Sequence, residues 1–65
     1  MVNEKPDVKK NARYNVKETA KLLGIHRNTL QNHTDKGHIT AHIHKATGRK
    51  FYTGEEIVRF WYLYI

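Results

Sequence analysis

The stretch from Tyr14 to Gly37, YNVKETAKLLGIHRNTLQNHTDKG, constrains the fold of this 65-residue chain more than any other: a Gly-Ile pair divides it into two segments of helical periodicity. Asn15 can cap a helix and Glu18, three residues later, can complete a capping box, so the first helix is expected to begin near Val16. Val16, Ala20 and Leu23 then follow the i, i+4, i+7 spacing of one stripe, with Thr19 and Leu22 on its margins. Gly24 can adopt the left-handed backbone that ends a helix, and Ile25 supplies an apolar plug behind it. The pattern demands two short helices joined by a tight turn.

On a helix advancing about 100° per residue, His26 to Lys36 separates into two arcs. Arg27, Asn28, Gln31, Asn32 and Asp35 share the outward arc, while His26, Thr29, Leu30 and His33 share the arc expected to pack on the first helix. Arginine suits guanine edges and phosphates, and Asn and Gln suit adenine edges, so Arg27, Asn28, Gln31 and Asn32 are candidates for major-groove readout of double-stranded DNA. Asp35 would repel phosphate and is expected beyond the groove, where it limits nonspecific binding. An isolated polar helix face is more often simply solvated; the flanking segments favour the DNA reading.

After Gly37, Ile39, Ala41 and Ile43 alternate with His38, Thr40, His42 and His44, the period of a strand. A turn at Thr47-Gly48 and the pair Phe51-Tyr52 suggest a returning strand and a hairpin. Lys45, Arg49 and Lys50 carry positive charge between His38 and Tyr52 with no acidic residue among them. Such a loop, His44 included, suits phosphate contact. Thr53 then caps a third helix with Glu56 three residues on and Glu55 at the positive end of the dipole. Its two carboxylates outweigh Arg59, so this helix should face away from DNA and serve the core through Ile57, Phe60, Trp61 and Tyr64. Gly24, Gly37, Gly48 and Gly54 all fall at element boundaries.

These segments, YNVKETAKLLGI, RNTL, Gly37 followed by His38-Ile39, and GRKFYTGEEIVRFW, resemble the winged helix-turn-helix of the MerR-like and excisionase superfamily over about residues 13 to 62. The resemblance implies a small α+β, mainly α fold: helix, turn, recognition helix, two-stranded wing, C-terminal helix. It implies DNA contacts by Arg27, Asn28, Gln31 and Asn32, and minor-groove or backbone contacts by the basic wing residues. The chain departs from the family pattern at His33 and Thr34, where Trp and an aliphatic residue are common, and at Thr40, often Pro. Trp61 is expected to fill some of the space this leaves. His26 replaces the usual Ser at the recognition-helix cap, and fraying of that end without DNA is expected. Regulators of the MerR type carry a long dimerisation helix after the wing and its helix, whereas this sequence ends first. The resemblance therefore points to an excisionase-like directionality factor that bends DNA and assists an integrase. The alternative is a small MerR-like transcriptional regulator or a DNA-binding fragment of one.

Composition bounds what remains. A single domain of this size buries only about 60% of its unfolded surface. There is no Cys to form a disulfide or a Cys-based zinc site. Residues 1–11, MVNEKPDVKKN, read as a disordered basic arm before a domain over 12–65. Lys9, Lys10 and Arg13 are candidates for arm contacts along a groove, with a solubilising tail as the plain alternative. No segment has the roughly 20 apolar residues of a membrane span, and a cytoplasmic, nucleoid-associated protein is expected. The net charge of +6 and pI of about 9.9 favour an anionic partner. RNA is disfavoured, because Phe51 and Tyr52 share one strand and do not form an aromatic array.

No cofactor is expected and no enzymatic activity: Ser and Cys are absent, each Tyr has a simpler structural role, and Glu55 and Glu56 diverge on their helix. The histidines invite a metal reading, but His42 and His44 are two ligands where zinc takes at least three. Protonation of His38, His42 and His44 would instead add charge to the wing, so DNA affinity is expected to rise between about pH 7.5 and 6. The C-terminal RFWYLYI carries more apolar surface than one stripe buries, which suggests either completion of the core or self-association on DNA through this helix.

Overall fold

The computed structural model describes residues 2–64. Its elements are β1 (Arg13–Asn15), α1 (Val16–Leu23), α2 (Arg27–Asp35), β2 (His42–Ile43), β3 (Lys50–Thr53) and α3 (Gly54–Tyr64). This is the small, mainly helical winged helix-turn-helix that the resemblance implies.

The capping box at α1 forms as expected: Glu18 N–H donates to Asn15 Oδ1 at 2.7 Å and Asn15 N–H to Glu18 Oε1 at 3.1 Å. The helix ends at Gly24, whose φ of 70° and ψ of 33° lie in the left-handed region. Gly24 N–H donates to Lys21 O and Ile25 N–H to Ala20 O. That pair is a Schellman motif, and α2 repeats it, with Gly37 N–H on Thr34 O and His38 N–H on His33 O. His26 caps α2 through Nδ1, which accepts from Asn28 N–H at 3.1 Å, so the imidazole replaces the usual hydroxyl.

The sheet has three antiparallel strands in the order β1-β3-β2, one more than the two-stranded wing expected. β1 pairs Arg13 with Thr53, Tyr14 with Tyr52 and Asn15 with Phe51. Three residues are too few to display a period of two, which is why the sequence conceals this strand. The strand expected from Ile39 onward contracts to His42 and Ile43, which pair with Phe51 and Lys50. Ile39 turns into the core and Ala41 packs against it. The alternation thus reflects an inward-outward path that the sheet joins only at its end.

The core joins Ala20 and Leu23 of α1, Leu30 of α2, Ile39, Tyr52 of β3, and Ile57, Phe60 and Trp61 of α3. Thr19, expected at the margin of α1, is fully buried, whereas Val16 is half-buried. Tyr64, expected in the core, is 40% exposed. Tyr52 is fully buried, and its hydroxyl lies 2.7 Å from Thr34 Oγ1. The Thr34 hydroxyl donates its proton to Leu30 O at 2.9 Å, which leaves Tyr52 as donor to Thr34. Threonine at this position therefore satisfies a buried phenol that an aliphatic residue would strand.

A disordered basic arm was expected over residues 1–11. Met1 lies outside the described residues, but the remainder runs along the body. Val2 N–H donates to Leu23 O, Trp61 Nε1 donates to Val2 O at 2.9 Å, and Pro6 is buried. At the start of α3, Gly54 N–H donates to Ala12 O and Glu55 N–H to Lys10 O, so backbone carbonyls occupy donors that a helix start leaves unpaired. Trp61 is thereby engaged with the N-terminal segment. Phe60 and Tyr64 fill the space beside His33, where the indole was expected.

Candidate nucleic-acid interface

Arg27, Asn28 and Asn32 are exposed along α2, and Gln31 is half-buried beside them. The inward side is narrower than the helical arcs suggest: Leu30 is buried and His33 and Thr34 are half-buried, but His26 and Thr29 are exposed. The buried arc centres on Leu30, which places Thr29 about 100° away, on the rim.

Asp35 shares the outward face, as its place on the arc implies. Gln31 Nε2 donates to Asp35 Oδ1 at 2.8 Å, and Lys50 Nζ donates to Gln31 Oε1 at 3.1 Å. The Gln31 carboxamide is thus clasped at both ends, once along its own helix and once to the wing. This contact ties the orientation of the hairpin to that of α2 across 19 residues of sequence.

The wing closes over residues 44–49, with His44 N–H donating to Arg49 O at 2.9 Å and Gly48 N–H to His44 O at 2.7 Å. His44, Lys45, Arg49 and Lys50 are all exposed. Arg13 belongs to β1 and not to an arm; its guanidinium lies 4.9 Å from the centroid of Phe51. Arg13, His44, Arg49 and Lys50 border one open depression, and Arg49 and Lys50 border a second with Asn15, Val16 and Lys17 at the start of α1. Lys10 lines a separate depression with Glu55 at the start of α3. Lys9, which is also exposed, is tied by its backbone N–H to Tyr14 Oη. The fold brings Arg13 to the wing cations, in a depression that Glu18 also lines, and sets Lys10 apart from them in one that Glu55 lines.

Two histidines expected to charge the wing have other partners. His42 Nε2 meets Glu56 Oε1 at 2.5 Å, and the ring stacks on Phe51 at 5.3 Å. Glu56 also accepts from the Thr53 hydroxyl at 2.8 Å, so α3 supplies the carboxylate that the wing sequence lacks. His38 Nδ1 lies 2.9 Å from His33 Nδ1, and its ring stacks on Tyr64 at 4.7 Å. One imidazole of that pair must donate and the other accept, so a single proton sits between them. His33 also meets the Phe60 ring edge-on at 4.9 Å. Burial, then the neighbouring His38 and Lys36 charges, hold its pKa below the ordinary 6.5. The Glu56 partner of His42 could not have been chosen from sequence, because it depends on how α3 meets the wing, whereas His33 and His38 are brought together by the turn that ends α2.

A helix-turn-helix with a polar, exposed second helix, backed by a hairpin rich in cations, defines a DNA-binding domain of the winged class. A family model described as a helix-turn-helix domain matches residues 13–61, and the chain belongs to that family. No curated protein and no solved structure matches the chain. Among the described residues no helix is long and apolar enough to cross a membrane.

Proposed function

We propose that the protein binds duplex DNA sequence-specifically, with α2 in the major groove and the wing on the adjoining backbone or minor groove. The observation that carries this reading is that the exposed polar face of α2 and the cationic hairpin stand side by side, with Lys50 Nζ within hydrogen-bond reach of Gln31 Oε1. Arg27, Asn28, Gln31 and Asn32 are the base- or phosphate-contacting set; His44, Lys45, Arg49 and Lys50, joined by Arg13, track phosphate. Binding would open the clasp, turning Lys50 to the phosphate chain and the Gln31 amide to a base edge. Lys10, in a depression at the start of α3 apart from the wing, is the weaker candidate for a contact and Lys9 goes with it.

Within that reading the role is an excisionase-like directionality factor of a mobile element, an architectural protein that assists an integrase while the partner carries out the strand chemistry. The support is the resemblance of the recognition helix and the wing-to-helix segment to the MerR-like and excisionase superfamily, together with the helix-turn-helix family match. Selection of sites from a random duplex pool at physiological salt tests it. Adjacent direct repeats are the expected outcome, inverted repeats would favour a dimeric MerR-like regulator, and no enriched motif would overturn sequence-specific binding.

A further inference from the structure

We propose that Ile43 is an apolar DNA contact set between the wing and the recognition helix, an inference that rests on the DNA-binding reading above. Ile43 is 54% exposed, the one large aliphatic residue so exposed in the hairpin among the described residues. It pairs in register with Lys50, and side chains directly opposite on antiparallel strands stand on the same face. That face is fixed by two contacts: Lys50 Nζ reaches Gln31 on α2, and Tyr52, two residues along the same strand, reaches Thr34 on α2. Ile43 therefore stands on the face of the hairpin that is turned to α2 and not on the opposite face, where His42 and Phe51 stack.

An isoleucine exposed to water beside Lys50 gains nothing from phosphate. The apolar surfaces that duplex DNA offers are the thymine methyl group and the deoxyribose ring. With Lys50 on the phosphate chain, the neighbouring Ile43 side chain would be carried onto one of these. The flanking positive charge of Lys45, Arg49 and Lys50 argues for a polyanion that presents apolar patches, and against an apolar protein surface, as the occupant.

The test compares Ile43→Val with Ile43→Thr, two β-branched side chains of one shape that differ by a hydroxyl, using the full chain and its selected site. Both should unfold at the temperature of the parent protein, since the side chain is exposed. Ile43→Val should bind within about twofold, whereas Ile43→Thr should bind about five- to tenfold more weakly, as expected for losing the burial of an aliphatic surface. The salt dependence of binding should stay unchanged in both, because no counterion is released by this residue, in contrast to Lys50→Ala. Replacing thymine by deoxyuridine at each position then separates the two sources. A loss shared by the parent and absent in Ile43→Thr identifies a thymine methyl, and insensitivity at every position identifies deoxyribose. Equal affinity of Ile43→Thr and the parent on a site the parent selects would overturn this inference alone. Failure of the parent to select any site would overturn the DNA reading first.

Discussion

Gln31 has both ends of its amide occupied in the free protein, by Asp35 and Lys50, so any base it reads must compete with two internal hydrogen bonds. Its net contribution is then a difference in pairing and falls at the lower end for a bidentate contact, while Arg27 carries no such internal competitor among the described contacts. Arg27→Ala or Gln31→Ala is expected to reduce discrimination against mismatched sites by about 1 to 3 kcal/mol, with Arg27 the larger effect. Competition binding against single-base variants of the selected site measures it, and unchanged discrimination in both would mean that α2 does not read the groove. At Thr19 the chemistry concerns stability. The residue is fully buried and its Oγ1 has no hydrogen-bond partner among the described residues. Thr19→Val removes an unpaired polar group at nearly constant shape and is expected to leave stability unchanged or raise it by about 1 kcal/mol. Denaturant titration reads this directly, and a large destabilisation would reveal a partner for the hydroxyl.

At the level of elements, the wing and the segment before β1 do different jobs despite similar basic composition. The wing cations Lys45, Arg49 and Lys50 are exposed, Arg49 and Lys50 bordering an open depression that Glu18 also lines, whereas residues 9–12 lie against the start of α3, where the Lys10 and Ala12 carbonyls accept from Glu55 and Gly54 N–H. Arg49→Ala and Lys50→Ala should therefore weaken binding to all sequences alike, and each should reduce the slope of log affinity against log salt by about one. Titrations at several salt concentrations test this; a slope identical to the parent's would remove the wing from the phosphate track. Gly54 is the pivot of the other segment, since a Cβ there would stand 1.9 Å from Lys9 O. Gly54→Ala must push the preceding segment off the helix start and is expected to cost about 1 to 2 kcal/mol, the value of a lost helix cap. Thermal unfolding of the variant measures the cost, and faster amide exchange at Glu55 would mark its origin.

Over the whole molecule, His33 couples stability to pH. Folding lowers the pKa of His33, so the unfolded chain binds the proton more readily. The associated stability is present above the unfolded value of 6.5 and is lost as pH falls from there through the lowered folded value. The thermal midpoint should drop over that window, and His33→Gln should flatten the drop; an unchanged profile would show that His33 does not link protons to folding. Much of this architecture is legible in the sequence, because it is local. The capping box of Asn15 and Glu18, the glycine stops at 24 and 37 and the outward arc of Arg27 to Asn32 depend on residues within a turn or two of one another. The illegible parts all depend on distant segments. β1 exists because β3 offers an edge to Arg13–Asn15. The path of residues 2–12 depends on Trp61 and the donors of α3, and Glu56 finds His42 only once the wing is folded. The placement of Lys50 and Ile43 facing α2 is likewise a matter of strand register. By itself the sequence determined where helices start and stop and which polar residues share a face, since those follow from bond rotations and helical period. Only the tertiary structure decided which cations share a surface and which side chains are already engaged, because hydrogen bonds and burial between remote segments are set by packing and leave no periodic trace in the chain.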